Sequence, residues 1–268
     1  VQYAFKRADT VEITWLEDTG RWFAGPDGKP LRAHGVVRAI DARHERDERL
    51  IKLAKYDPLT GEMNRAQLTE ALAATRYVEI GVNNGATFHD IEITSRTAVD
   101  PKFLFNPADF NTRSTRFLEI TSDAFFEGVP CGEAFDIYFL DGLHTFEQTL
   151  RDLCNAIVHS TPQTVWLVDD TKPHDVLSAL PDMQRAYRFR EMTGNKGRAW
   201  HGDVFKLVYY IHDFMPTLNY RTLIGGGNPQ TLVWRSNRGW RMPRFNNLET
   251  ISRMGYFDLY ENIDVLRE

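Results

Sequence analysis

The sequence has few cysteines, no long apolar run and no excess of positive charge. Its 268 residues include two cysteines, Cys131 and Cys154, too few for a disulfide framework or a four-cysteine zinc site. No stretch approaches the ~20 apolar residues of a membrane-spanning helix. The net charge of −5 lacks the basic footprint of a nucleic-acid-binding protein. We therefore expect a protein that binds neither membranes nor nucleic acids.

The first residues also lack the features of an export signal. The segment Val1–Arg7 contains neither a basic region nor an apolar one of the kind that a signal peptide needs. We therefore expect a cytoplasmic protein. Because the first residue is valine rather than methionine, we also expect that the chain is a fragment of a longer one.

From residue 76 onward, short apolar runs alternate with amphipathic segments. Strands are predicted at Tyr77–Gly81, Arg96–Val99, Arg116–Ile120, Phe135–Leu140 and Thr164–Val168. Helices are predicted at Phe146–Val158, with Thr145 and Gln148 as a capping box, and at Val204–Phe214. A glycine-rich turn joins two final strands, Arg221–Ile224 and Thr231–Trp234, as an antiparallel hairpin. This alternation predicts an α/β fold with a doubly wound, mostly parallel, seven-stranded sheet and an antiparallel edge.

The front of the chain has a different pattern. Residues 1–40 predict a small β-hairpin, with two strands around the turn Gly25–Gly28. Residues 41–56 are highly charged and predict a solvated helix. The turn signal Asp57–Gly61 ends it, and a second helix is predicted over about residues 64–73. We therefore expect a helical linker over 41–73.

The loop after the first predicted strand of the large sheet is rich in glycine. In doubly wound sheets, ligands bind beyond the carboxyl ends of the strands. Gly81 and Gly85 permit a tight turn and a close approach of a ligand. Asn83 replaces the second glycine of the dinucleotide fingerprint, which disfavours a pyrophosphate. Glu79 favours a cationic or amine-bearing ligand, and an ordinary strand–helix turn is the alternative.

Polar residues follow the next two strands. Asp100 lies 19 residues after Gly81, near the spacing at which a carboxylate accepts hydrogen bonds from both ribose hydroxyls. Ser122 and Asp123, which precede two phenylalanines, could hold an adenine. The alternatives are a surface aspartate before a proline for Asp100, and a helix cap for Ser122 or Asp123.

Three carboxylates and a histidine follow the fourth and fifth strands. Asp141, Asp169 and Asp170 need either a cation or raised pKa values if they lie together. Three interpretations stay open: a magnesium-type ion held by these carboxylates, a metal-free acid–base site with His144 or an aspartate as the base, and structural roles such as a helix cap at Asp170.

Together these motifs resemble the class I S-adenosylmethionine-dependent methyltransferases. The resemblance is narrower to the bacterial small-molecule-type branch, whose fourth strand ends in D-G-x-H-x-x-E, here Asp141 to Glu147. It covers residues 74–235 and implies a Rossmann-like fold, with a C-terminal helical extension over 236–268. It also implies methyl transfer to an oxygen or nitrogen of a small-molecule acceptor.

The resemblance further implies a role for each motif residue. Gly81, Asn83 and Gly85 would hold the methionine part of S-adenosylmethionine, with Glu79 near its amine. Asp100 would bind the ribose, and Ser122 and Asp123 would flank the adenine. Asp141 would border the transfer site. From the need to remove a proton from the acceptor, we expect His144 as the base or substrate contact, with Asp141 orienting it. Catechol-type relatives bind Mg²⁺ with carboxylates at places comparable to Asp141, Asp169 and Asp170, although they have an asparagine where this chain has Asp170.

The front of the chain resembles parts of two other families. Tyr3–Ile40 is similar to the last strands of a PAS sensor domain, and Asp57–Arg65 to the opening of a GGDEF nucleotide cyclase. Both are incomplete, so we expect neither a sensory ligand nor a cyclase, but the tail of a truncated sensor with a helix that could form a homodimer. Two rival functions remain: a nicotinamide-dependent oxidoreductase, and a sensory module without catalysis.

Overall fold

The computed structural model describes residues 2–6, 13–53, 72–110, 112–223, 228–236 and 242–267. Several predicted features lie outside the described residues: the GGDEF-like segment 57–65, positions 64–71 of the predicted second helix, and the turn glycines 225–227. The two remaining positions of that helix, 72 and 73, form a turn.

The described residues form two β-sheets. The smaller sheet contains β1 (Gln2–Lys6), β2 (Ile13–Ala24) and β3 (Pro30–Ala39). The larger sheet contains β4 (Arg76–Ile80), β5 (Ser95–Val99), β6 (Thr115–Leu118), β7 (Phe135–Leu140), β8 (Ser160–Val168), β9 (Leu218–Leu223) and β10 (Gln230–Arg235).

Helices connect and cover these strands. They are α1 (Asp41–Leu53), α2 (Ala86–His89), α3 (Ser122–Gly128), α4 (Phe146–Val158), α5 (Met183–Thr193), α6 (Lys206–Phe214), α7 (Leu248–Arg253), α8 (Tyr256–Glu261) and α9 (Asp264–Arg267). A 3₁₀ helix spans Pro107–Phe110. None of the helices described has both the length and the apolar character that crossing a bilayer requires.

The larger sheet confirms the predicted α/β fold. Its strand order is β6-β5-β4-β7-β8-β10-β9, and the pairs from β6 to β8 are parallel. Strand β10 is antiparallel to both β8 and β9, as the predicted hairpin requires. The antiparallel strand is therefore one place inside the edge rather than at it, because β9 pairs on its outer side. The reversal of strand order between β4 and β7 opens a crevice at their carboxyl ends.

Apolar side chains fill both faces of the larger sheet. The run Ile137–Leu140 in β7 is almost completely buried, as expected for a strand covered on both faces. Helix α4 packs Phe146, Leu153 and Ala156 into the same core. The C-terminal helices join that core too, since Leu259 and Leu266 are fully buried in it.

The front of the chain forms three strands rather than the expected hairpin. Strand β1, which was not predicted, pairs with β2, and β2 pairs with β3. Helix α1 follows directly, and the Trp15 backbone N–H donates to the Asp41 carboxylate at its start (2.6 Å). The Trp15 ring also stacks on His44, with ring centroids 3.7 Å apart. The small sheet is therefore attached to α1.

Candidate functional site

A cavity of about 480 Å³ lies at the carboxyl ends of β4, β5 and β7. Its volume is in the range of small-molecule sites. The lining residues are Ile80, Gly81, Asn83, Val99, Asp100, Pro101, Thr121, Ser122, Asp123, Asp141, Gly142, Leu143, His144 and Gln148. Seven of the eleven predicted site residues line it; Glu79, Gly85, Asp169 and Asp170 do not.

Gly81 brings β4 and β7 together at the floor of this cavity. Its φ of 84° lies in the left-handed region, which side chains disfavour. A Cβ atom at this position would lie 1.8 Å from the carbonyl oxygen of Asp141. Only glycine therefore allows the two strand ends to approach this closely.

Asp100 organises the glycine-containing loop. Its Oδ2 accepts hydrogen bonds from the backbone N–H groups of Val82 (2.9 Å) and Asn83 (2.8 Å). Its Oδ1 accepts one from Lys102 N–H (2.8 Å). The carboxylate thus fixes the loop while it lines the cavity. Glu79 is buried beneath the loop, where the Tyr77 hydroxyl donates to it (2.6 Å).

The wall of the cavity opposite this loop comes from the start of α3. Thr121 is the N-cap of that helix, since its hydroxyl oxygen accepts a hydrogen bond from Ala124 N–H (3.2 Å). The alternative that Ser122 or Asp123 caps the helix is therefore wrong. Both of these side chains instead face the cavity and contact α4.

The predicted capping box of α4 is also wrong. Thr145 is the N-cap, but its side chain makes no capping hydrogen bond. The capping side chain is instead Asp203, from a loop distant in sequence, whose Oδ1 accepts a hydrogen bond from Phe146 N–H (2.8 Å). Gln148 therefore does not cap the helix, and it lines the cavity instead. Sequence analysis missed this role because the local capping pattern offered a sufficient explanation for Gln148.

His144 lies between two carboxylates at one end of the cavity. Its Nδ1 is 2.7 Å from Asp170 Oδ2, and its Nε2 is 3.4 Å from Asp141 Oδ1. Burial opposes the charged imidazole, but the hydrogen bonds and charges of the two aspartates outweigh it and raise the pKa of His144 to about 11. The histidine therefore supplies the positive charge that the grouped carboxylates require.

The segment after β8 encloses His144 from the other side. The Trp200 ring stacks on the imidazole, with centroids 4.8 Å apart. The backbone carbonyl oxygen of Trp200 is 3.0 Å from His144 Nδ1. A Cβ atom at Gly202 would lie 1.6 Å from the His144 carbonyl oxygen. Sequence analysis missed this contact, because nothing local links Trp200 to a residue 56 positions earlier.

Asp170 has further partners that the sequence did not indicate. Asn228 Nδ2 donates to both Asp169 Oδ1 (2.9 Å) and Asp170 Oδ1 (2.8 Å). The buried His201 places its Nε2 3.9 Å from Asp170 Oδ1. Burial would raise the pKa of Asp170, but its hydrogen bonds and the nearby histidines lower it. Asp170 also has a φ of 59°, an uncommon conformation for a side-chain-bearing residue.

The group that could hold a metal ion differs from the predicted one. Asp141, His144 and Asp170 offer ligand atoms within 4.8 Å of one another. Asp169 stands outside this group, and its Oδ1 accepts from the Asp170 N–H (3.0 Å) as well as from Asn228. Magnesium prefers oxygen ligands, so a group centred on an imidazole does not fit the predicted all-carboxylate site.

A comparison with protein families identifies the family to which the chain belongs. The sequence profile described as "Methyltransferase domain" matches residues 31–171, more than half of the chain. The chain belongs to the methyltransferase domain family. The match starts inside β3 and extends across β4, β5, β6, β7 and β8, so it includes the whole of the cavity described above.

The methyltransferase domain also has structural neighbours of low sequence identity. A candidate caffeoyl-CoA O-methyltransferase from Staphylococcus aureus is 16% identical, with a TM-score of 0.46 and coverage of 74% of this chain and 92% of the other. The O-methyltransferase TomG from Streptomyces achromogenes, in complex with SAM, is 16% identical (TM-score 0.39, coverage 73% and 87%).

A third neighbour is an O-methyltransferase from Bacillus cereus in complex with SAH, which is 14% identical (TM-score 0.40, coverage 73% and 90%). No curated protein gives a significant sequence match. The family match confirms the predicted enzyme class, a methyltransferase.

Proposed function

We propose that this methyltransferase domain transfers the methyl group of S-adenosylmethionine to an oxygen or nitrogen of a small-molecule acceptor. The observation that carries the proposal is the single cavity that joins the loop of Gly81 and Asn83, Asp100, the Ser122–Asp123 wall and the Asp141–His144 pair. Two structural neighbours, solved in complex with SAM and SAH, accord with this cofactor.

The cavity residues suit the parts of this cofactor in order. Gly81 and Asn83 present backbone to the methionine part, and Asp100 Oδ1, which accepts one hydrogen bond, retains a lone pair for a ribose hydroxyl. Ser122 and Asp123 stand where the adenine would lie. Glu79 and Gly85, which lie outside the cavity lining, would act by shaping the loop. S-adenosylmethionine supplies an electrophilic methyl carbon on a sulfonium, so the protein needs chiefly to align the acceptor.

The Asp141–His144–Asp170 group would bind the acceptor and remove its proton. Since Asp141 and Asp170 hold His144 as a cation, we assign His144 as a substrate contact. Its Nε2–H, 3.4 Å from Asp141 Oδ1, would be shared between Asp141 and the acceptor. Asp141, which lines the cavity, would take the acceptor proton on a carboxylate oxygen. We retain magnesium, held by Asp141, Asp169 and Asp170, as a second cofactor to be tested, although the donor set of the site favours the metal-free alternative.

We also infer the domain limits that the sequence predicted: a PAS-like tail over 1–40, a linker over 41–73, the methyltransferase domain over 74–235 and a helical extension over 236–268. The antiparallel strands β2 and β3 followed by α1 accord with the first two units. A homodimer formed through α1 and a cytoplasmic location remain part of this proposal.

Calorimetric titration with S-adenosylhomocysteine, with and without Mg²⁺, tests the proposal directly. We expect binding without metal and little change when Mg²⁺ is added. The Asp100→Asn variant should bind at least about tenfold more weakly, because it replaces a charged acceptor with a neutral amide. Asp90→Asn, an exposed change outside the cavity, should bind like the wild type.

The absence of S-adenosylhomocysteine binding, together with binding of a nicotinamide dinucleotide, would favour the oxidoreductase instead. Binding that depends strictly on Mg²⁺ would restore the carboxylate metal site. Binding without methyl transfer to any acceptor class would support the sensory module.

A further inference from the structure

The end of the cavity formed by α3 and α4 contains a buried carboxyl that the proposed reaction does not use. Asp152 is only 2% exposed, and it lies one helical turn after Gln148 in α4. Its Oδ1 accepts a hydrogen bond from Gln148 Nε2 (2.9 Å). Burial raises the pKa of Asp152, and the nearby Ser122 and Gln148 side chains oppose this rise. Asp152 thus binds Gln148 and lies close to Ser122, two residues that line the cavity.

The hydrogen bonds within this wall occupy the donors of both residues. The Gln148 amide donates to Asp152, to Ser122 Oγ (3.1 Å) and to Asp123 Oδ1 (3.3 Å). An amide group has two N–H donors, so these contacts leave none free. The Ser122 hydroxyl has one donor, and the neighbouring Asp152 carboxyl is an acceptor within its reach.

Hydrogen-bond acceptors remain available on the cavity side. Arg151 Nε donates to Asp123 Oδ1 (2.9 Å), and in the described part of the chain no partner donates to Asp123 Oδ2. Ser122 Oγ and Gln148 Oε1 each keep a lone pair as well, although Arg151 donates to the latter. A ligand group that donates hydrogen bonds would therefore suit this wall, and a group that only accepts them would face unpaired oxygen atoms.

We propose that Asp152 is a positioning residue that selects the purine of the cofactor, because it holds Ser122 and Gln148 with their donors turned away from the cavity. This inference rests on the proposed function, which places a nucleoside at this wall. The 6-amino group of a 6-aminopurine donates two hydrogen bonds to the wall. A 6-oxopurine presents a carbonyl oxygen there, which the wall oxygens repel.

Two ligands that differ only in this group test the proposal. S-adenosylhomocysteine carries the 6-amino group, and S-inosylhomocysteine carries a 6-oxo group. By calorimetry we expect the wild type to bind the first at least about tenfold more tightly, the cost of an unmet hydrogen bond in a dry pocket. In Asp152→Asn, an NH2 donor replaces one carboxylate oxygen, so Ser122 and Gln148 are no longer both held by acceptors and can turn a donor toward the cavity. The ratio of the two affinities should then fall to within about threefold of one.

A second variant tests the proposal if the Asp152→Asn protein does not fold. Gln148 is half-buried, and Gln148→Leu removes the amide without leaving a buried cavity. It should also lower the ratio several-fold, because the wall loses the Gln148 Oε1 acceptor and Asp152 loses the side chain that it binds. Glu127→Gln, an exposed carboxyl-to-amide change on α3, is the matched control and should retain the wild-type ratio.

The outcomes distinguish a failure of the proposed function from a failure of the role of Asp152. A wild type that binds neither ligand overturns the proposed function, and this inference falls with it. A wild type that binds both ligands equally, or variants that weaken both ligands by the same factor, overturn the role of Asp152 and leave the proposed function in place. A general structural role for Asp152 would lower both affinities together without changing their ratio.

Discussion

His144 shows how a residue's surroundings change its chemistry. From sequence alone, a histidine after the fourth strand is a candidate base, because its ordinary pKa is near neutrality. The structure places Asp141 and Asp170 on either side of the ring, and this raises its pKa to about 11. A cationic ring cannot accept a proton, so the surroundings change the expected role from base to hydrogen-bond donor.

This shift predicts how the free energy of unfolding depends on pH. A pKa that is higher in the folded state than in the unfolded state stabilises the protein fully below pH ~6.5. The stabilisation is then lost as the pH rises toward 11. Relative to His144→Gln, the wild type should therefore lose up to about 1.4 kcal/mol per pH unit between pH 7 and 9.

Urea unfolding of both proteins at several pH values measures this difference. His34→Gln, a matched change at an exposed position of the small sheet, is the control variant. A pH-independent difference for His144→Gln as well would show that the ring is not held as a cation.

At the scale of elements, the start of α4 depends on a residue far away in sequence. Asp203 Oδ1 accepts from Phe146 N–H (2.8 Å), and its Oδ2 pairs with Lys206 Nζ (2.7 Å). Both charged side chains are almost completely buried. The ammonium also donates to the Ser252 carbonyl in α7 (2.6 Å). One ion pair thus links α4, α6 and α7.

Breaking this pair should cost more than an ordinary helix cap. Asp203→Ala leaves a buried ammonium without its counter-charge, so we expect a loss of roughly 3–5 kcal/mol in urea unfolding. The double variant Asp203→Ala with Lys206→Met should recover part of this loss, because no buried charge remains. A double variant that is no more stable than the single one would contradict this explanation and point to the lost cap alone.

At the scale of the whole molecule, α1 attaches the small sheet to the methyltransferase domain. Asp47 on α1 accepts hydrogen bonds from Trp234 Nε1 (2.8 Å) and Ser236 Oγ (2.5 Å), both at the end of β10. Arg46 donates to the Pro162 carbonyl (3.1 Å). Part of the charged surface of α1, which the sequence suggested was solvated, therefore contacts the larger sheet.

This contact predicts an effect on stability from a charged residue of α1. The Trp234 side chain is fully buried, so Asp47→Ala leaves its indole N–H unpaired and should cost about 1–3 kcal/mol. Thermal and urea unfolding, monitored by tryptophan fluorescence, would measure this loss. Glu48→Ala, an exposed neighbour on the same helix, should be nearly neutral; equal effects of the two changes would show that α1 does not depend on this contact.

The sequence by itself determined the alternating pattern of strands and helices, and with it the cavity at the carboxyl ends of the parallel strands. Hydrophobic periodicity and turn residues are local signals. This is why the strand Phe135–Leu140 appears with its predicted limits and the helix Phe146–Val158 contains all of its predicted apolar positions. The motif residues at the strand ends followed from the same logic, since parallel strands bring their carboxyl ends to one edge.

Only the tertiary structure decided which of these side chains contact one another. In the folded protein, Asp203 rather than Thr145 caps α4, and Gln148 lines the cavity wall instead of forming a capping box. His144 lies between Asp141 and Asp170, whereas Asp169 is not part of this group. These contacts join residues far apart in the chain, and their energies depend on burial and on distances between charges. No local pattern encodes either quantity, because both arise only when the elements have packed.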